Sequence, residues 1–301
     1  MKILSLLLPA LLLMGCATSK HRWAQDLTEE VPQEKVLDIP FLAQEKNMCG
    51  PVVLKMATNF SAPEYTLSDL KEMTFREEVQ GTFQSDILSA ARRMGLTPYR
   101  VPSSSAMWSQ IRDGRPVIVF QNLGVSWLPA WHFSLLVGYD SVKDKVYLHT
   151  GTEALQSIGI KRFQKTWERG GSWSYVVTAP ADIPANASFE EALQNAMLLE
   201  KIDQQKPAAE VYQQMIVKFP TRFEPHLGLA QIYYAQGNKK AALKESETAL
   251  TKSPGHIALL FNLSILYFEN GALEKARELK RETLAHASPE ERAAYENRFT
   301  F

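Results

Sequence analysis

The C-terminal third of the chain repeats itself every 34 residues. Segments 189–222, 223–256 and 257–290 align column by column. The first column holds Phe189, Phe223 and Ile257, and the eighth Ala196, Ala230 and Ser264. The eleventh holds Leu199, Tyr233 and Tyr267, and the twentieth Ala208, Ala242 and Ala276. Pro220 and Pro254 close the first two units, and Pro289 falls one place late in the third. Gly237 and Gly271 sit between the halves of units two and three; in the first, Gln205-Lys206-Pro207 stands where that turn is expected. A period of this length means helix pairs that bury their apolar faces only by stacking on one another. Small residues in columns eight and twenty let the two helices of a pair approach, large apolar residues fill the groove between pairs, and the proline ends the second helix. Ser188 with Glu191, Thr221 with Glu224, and Ser288 with Glu291 have capping-box spacing. The last opens a final helix over 289–298, expected to close the stack with a polar face.

This pattern resembles the tetratricopeptide repeat. The resemblance implies an all-α domain over 188–301, made of three repeats and a capping helix, that docks a protein partner or a substrate.

The opposite end reads as an address. In MKILSLLLPALLLMGC, Lys2 precedes an apolar run from Ile3 to Met14. A spanning helix needs about 20 residues, so this run suits a secretory h-region instead. Leu13-Met14-Gly15-Cys16 resembles the bacterial lipobox. That resemblance implies a signal peptide over 1–15, lipid on Cys16, and a tether over 16–35. Ala17, standing where Asp would retain the protein in the inner membrane, points to the outer membrane facing the periplasm. The chain has two cysteines. With Cys16 lipidated, Cys49 is the one thiol left in the mature protein. In an oxidising compartment such a thiol is either buried and inert or kept for its reactivity.

Composition narrows the middle segment. Lys+Arg and Asp+Glu number 33 each, so no basic balance speaks for nucleic acid. A hydrophobic share of 45% with 22% charged residues is that of a globular protein. Two cysteines exclude a disulfide scaffold and a cysteine-rich zinc site. His132 and His149 lack further ligands at metal-binding spacing, so no metal and no cofactor are expected.

Residues 36–180 read as an α+β domain. A short strand over 36–42 precedes a buried helix starting near Cys49, with Pro51 in its first turn. A thiol at that position meets the positive end of the helix dipole, which favours thiolate. Thr66 to Asp69 is a capping box, and a helix follows from about Gln84 to Met94, ended by Gly95. Strands are expected over 116–120, 132–140, 145–149 and 173–178, with a short helix over 163–167. Ser103-Ser104-Ser105 reads as a loop, Gly170-Gly171 as a turn, and Trp127 and Trp131 as core or cleft wall.

The ordered set Gln44, Cys49-Gly50-Pro51, Gly81, Ala90-Ala91, Gly95-Leu96, Arg115 to Val119, and His132 leading into Gly138-Tyr139-Asp140 resembles the bacteriocin-processing, double-glycine-leader peptidases. These are papain-like cysteine peptidases, and the resemblance covers about residues 36–178. It implies Cys49 as nucleophile, His132 as general base and acid, and Gln44 as an oxyanion donor beside the Cys49 backbone N–H. It also implies a carboxylate just after the strand that pairs with the histidine strand. Here that place reads Leu148-His149-Thr150-Gly151. His149 is the first choice to orient His132, and Thr150 the second. The expected function is a lipid-anchored envelope cysteine peptidase. The alternative is a weak or inactive papain-like scaffold that binds peptides.

Overall fold

The computed structural model describes residues 33–299 and 301. The signal peptide, Cys16 and all but the last residues of the expected tether lie outside the described residues.

The first half is an α+β domain around one antiparallel sheet. Its elements are β1 (Glu34–Val36), α1 (Cys49–Thr58), α2 (Leu67–Thr74), α3 (Gln84–Arg93), β2 (Thr97–Arg100) and α4 (Ser104–Arg112). There follow β3 (Val117–Asn122), β4 (Trp131–Asp140), β5 (Lys145–Thr150), β6 (Glu153–Gly159), α5 (Ile160–Arg169) and β7 (Ser174–Thr178). The strands run in the order β2-β7-β3-β4-β5-β6, and β1 pairs with the far end of β4. Register sets Gln121 opposite His132 and Val119 opposite Ser134 across β3 and β4. It sets Leu135 opposite His149 across β4 and β5.

The sequence pattern explains these elements. In α1 the residues Val52, Val53, Leu54 and Met56 are all buried. They meet a sheet core that includes Ile118, Phe133, Leu135 and Val137. Each such fully buried side chain contributes about 1.5–3 kcal/mol. Thr66 and Asp69 form the capping box of α2 in both directions. Arg76 grips Asp86 at 2.8 and 2.6 Å, and Asp86 accepts from the Phe83 N–H at 3.0 Å. The Arg76 guanidinium holds the Asp86 carboxyl below its ordinary range, and the pair fixes the 75–83 loop against α3.

Three expectations change. The alternating stretch 36–42 is a strand only over 34–36. Beyond it Leu37 and Ile39 are buried; the Leu37 N–H makes one more bond to β4, to Val137 O at 2.8 Å, and Pro40 has no N–H to carry the ladder on. Ser103 is a helix cap: its side chain accepts from the Ala106 N–H and opens α4. β2 and β6 are strands that the periodicity did not mark.

The second half is helical: α6 (Phe189–Lys201), α7 (Gln205–Lys218), α8 (Glu224–Ala235), α9 (Lys239–Lys252), α10 (Ile257–Glu269), α11 (Leu273–His286) and α12 (Pro289–Glu296). They form three successive pairs and a final helix, an arrangement compatible with tetratricopeptide repeats. All six small residues of columns eight and twenty are buried. Gly237 and Gly271 turn between the paired helices at φ +75° and +77°, a region that favours glycine. In the first repeat Asp203 takes that conformation at φ 62°, and Pro207 sits in the first turn of α7.

The two halves share a core. Asn195 of α6 donates to Pro98 O at 2.8 Å and accepts from Arg92 at 3.2 Å. Glu191 accepts from the Arg100 N–H at 2.6 Å. One apolar cluster runs from Leu37 through the sheet to Ile232 of α8. No helix among the described residues is long and apolar enough to cross a membrane.

Candidate active site

Cys49 is the first residue of α1, and Met48 before it supplies no side-chain cap. Pro51 has no N–H and Val52 donates to Met48 O at 3.1 Å, so the first-turn donors without a helix partner are the Cys49 and Gly50 N–H groups. Gly50 follows because nothing larger fits: a Cβ there would collide with the Thr82 side chain. The backbone N–H groups of Phe133 and Gly50 lie near enough to the Cys49 sulfur to favour its thiolate. Phe133 is the neighbour of His132, so the thiol lies at the start of the histidine strand. The dipole was expected to lower the Cys49 pKa, but the structure gives the opposite sign. Burial pushes the thiol up, and the backbone donors only partly offset it. Burial likewise pushes the His132 imidazole below its ordinary value. A desolvated pair favours the uncharged thiol and imidazole over the ion pair.

His132 Nε2 lies 2.8 Å from Thr150 Oγ1. Thr150 Oγ1 in turn lies 3.0 Å from Ser134 Oγ. The choice of His149 as the orienting residue is corrected here. Successive residues of a strand point to opposite faces, so His149 cannot follow Thr150 to His132. Its Nε2–H donates to Ile39 O at 2.8 Å, and its Nδ1 accepts from the Leu155 N–H at 3.2 Å. Phe41 meets the ring edge-on at 5.3 Å. His149 is a buried pin between the 37–42 segment and β6.

Gln44 is held at both ends of its residue. Its N–H donates to Gly151 O at 2.8 Å, and its Oε1 accepts from the Gly151 N–H at 3.1 Å. Its Nε2 is buried and has no partner among the described residues. An amide fixed through its oxygen with its N–H₂ free is a preorganised donor, and leaving such a group unpaired costs about 1–3 kcal/mol. Gly151 also follows Thr150, so one backbone turn couples Gln44 to the partner of His132.

Around these residues the 122–131 loop is cinched by Asn122, whose Oδ1 accepts from the Gly124 and Ala130 N–H groups at 3.0 and 2.9 Å. Trp131 stacks on Phe120 at 5.4 Å, while Trp127 is 82% exposed and belongs to no core. No cluster of metal-ligating residues occurs among the described residues.

Sequence reasoning missed Ser134 and ranked Thr150 second. Strand parity was the available signal, since counting by two from His132 gives Ser134, whose cross-strand neighbour on that face is Thr150.

Residues 36–175 match the Peptidase_C39 like family. Solved structures similar to this chain include a C39-like peptidase from Bacillus anthracis (14% identity, TM-score 0.41, 48% of this chain and 96% of that one). They also include the peptidase domain of Streptococcus ComA (18%, 0.35, 48% and 97%). The Yersinia enterocolitica type III secretion translocator chaperone SycD is also similar (15%, 0.35, 39% and 83%). No curated protein matches the sequence.

Proposed function

We infer the function from the match of residues 36–175 to the Peptidase_C39 like family. We propose that it hydrolyses a peptide bond through a thioester on Cys49. The observation that carries this reading is the Gln44 amide, pinned through Oε1 with its buried Nε2 left free.

The steps follow from the hydrogen bonds. His132 donates from Nε2 to Thr150 Oγ1, and Thr150 donates on to Ser134 Oγ. Nδ1 then keeps its lone pair as the base. As the Cys49 sulfur attacks the peptide carbonyl carbon, its proton passes to Nδ1. The oxyanion is met by Gln44 Nε2 and the Cys49 backbone N–H. Collapse breaks the C–N bond, and His132 returns the proton to the leaving amine. Water then attacks the thioester with His132 again as base, releasing the acid and restoring the thiol.

The fused helical repeats present substrate or dock a protein partner. Lipidation at Cys16 places the enzyme at the bacterial envelope, on the outer membrane facing the periplasm. A second reading is favoured by one feature: Thr150 supplies no negative charge to an imidazolium, and burial opposes the ion pair. In it the domain binds peptides as a weak or inactive scaffold. Burst kinetics with an activated peptidyl ester separate the two. An acyl-enzyme burst that needs Cys49 and Gln44 supports the peptidase; stoichiometric peptide binding without acylation supports the scaffold.

A further inference from the structure

On the sheet face that carries α5 lies a cavity of about 880 Å³, separate from the Cys49 thiol. Its floor includes Gln121 and Thr150, and its wall is the outer side of α5. That helix buries Ile160, Phe163 and Trp167 against the sheet. Its other face brings Lys161, Arg162, Lys165 and Arg169 to the cavity, with Glu153 as the one acidic lining residue. Arg169 is anchored by donating to Asn122 O at 2.9 Å. Among the described residues Lys161, Arg162 and Lys165 make no ion pair. Helical spacing puts these cations on one side without repeating a structural ion-pair pattern.

The floor carries the second observation. Gln121 is 1% exposed, and its Oε1 has no partner among the described residues. Its amide cannot be turned to change this. Nε2 donates to Thr166 Oγ1 at 2.7 Å, and Thr166 spends its own proton on Phe163 O at 2.8 Å. A buried acceptor therefore waits at the floor, opposite a wall of unpaired cations. A simple anion would satisfy the wall and repel the floor. A neutral ligand would leave the wall unused. A volume of this size holds a small organic molecule.

We propose that this cavity is a second ligand site, for a small organic dianion that also carries an O–H or N–H donor. The two negative charges meet Lys161, Arg162 and Lys165, and the donor meets Gln121 Oε1. Hydroxylated phosphate monoesters and hydroxylated dicarboxylates share this chemistry. The floor shares Thr150 with the His132 contact, and the binding test reads no reaction at Cys49.

The test is calorimetric titration of the full chain with glycerol 3-phosphate in one arm and malate in the other, each beside methyl phosphate. Saturable one-to-one binding is expected in at least one arm, and the arm that binds identifies the source of the dianion. The exposed pair Lys161→Ala and Lys165→Ala should weaken it about tenfold or more, the loss of charge-assisted contacts. Methyl phosphate, with no donor beyond the phosphate, should bind at least about fivefold more weakly. Absence of saturation in both arms overturns the site, as does indifference to the lysine variant. Equal affinity for methyl phosphate overturns the role of Gln121. Binding to phosphatidylglycerol vesicles alone overturns the cavity and leaves α5 a surface patch.

Discussion

Thr150 Oγ1 lies 2.8 Å from His132 Nε2, in the place where a carboxylate was expected to hold the imidazole. A hydroxyl fixes the ring and its tautomer but adds no charge. Thr150→Val removes the partner and leaves a desolvated Nε2–H. Acylation of Cys49 should fall about tenfold to a hundredfold, less than the 10²–10⁴ of losing the base itself. Thr150→Asp works in the other direction. A carboxylate favours the imidazolium, so the His132 protonation midpoint should rise. Imidazole NMR titration of both variants measures this, and a midpoint that stays fixed with the carboxylate present contradicts the contact.

Gln44→Glu keeps the oxygen that Gly151 donates to and deletes the free N–H₂. Hydrolysis or acylation by a peptidyl ester should drop about 10²–10³. Alkylation of Cys49 by iodoacetamide builds no oxyanion and should change by less than about threefold. An equal loss in both assays means that Gln44 acts by holding the loop and not as a donor.

Gly50→Ala drives a methyl into Thr82. The cost should be about 1–3 kcal/mol of stability, read from denaturant melts. Thr82 Oγ1 is itself buried without a partner, so Thr82→Ala alone should be near neutral. The added methyl also meets Thr82 Cβ, which alanine keeps, so it is Gly50→Ala combined with Thr82→Gly that should recover part of the loss, and a coupling energy near zero in that cycle contradicts the close approach.

How much of this was legible beforehand depends on which rule governs each residue. The repeat columns were plain in the sequence, because small residues recur there at a fixed period, and Ala208, Ala242 and Ala276 are all fully buried. The helix at Cys49 and the strand at His132 were legible from apolar patterning. β6 was not: Glu153 to Gly159 lies at the sheet edge and is largely exposed, so no apolar alternation marks it. The sign of the Cys49 shift was missed because a dipole argument uses only local sequence, whereas desolvation comes from distant chain packed over the thiol. His149 was preferred over Thr150 by residue type. Register decides that choice, and the pairing of Leu135 with His149 exists only once β4 and β5 are aligned.

The contact between the halves also carries a prediction. Asn195→Ala strips partners from Pro98 O and Arg92. It should destabilise the protein by about 1–3 kcal/mol. Thermal unfolding of the wild type should be one transition across both halves, because the apolar core is continuous. Two separated transitions contradict a shared core.

The most direct test is the pH dependence of Cys49 alkylation, followed beside Cys49→Ala, His132→Ala and His149→Ala. Burial holds the thiol above its ordinary value and the imidazole below its own. Neutral His132 therefore persists to lower pH than an ordinary histidine near 6.5, and thiolate forms by itself only above the ordinary range of about 8.5. With His132 as base, the rate should show a plateau between those limits, falling on the acid side as His132 protonates and rising again as free thiolate appears. His132→Ala should abolish the plateau and keep the alkaline rise, and His149→Ala should leave the plateau's lower edge in place. A single thiol titration curve that ignores His132 would contradict the catalytic pairing of Cys49 and His132.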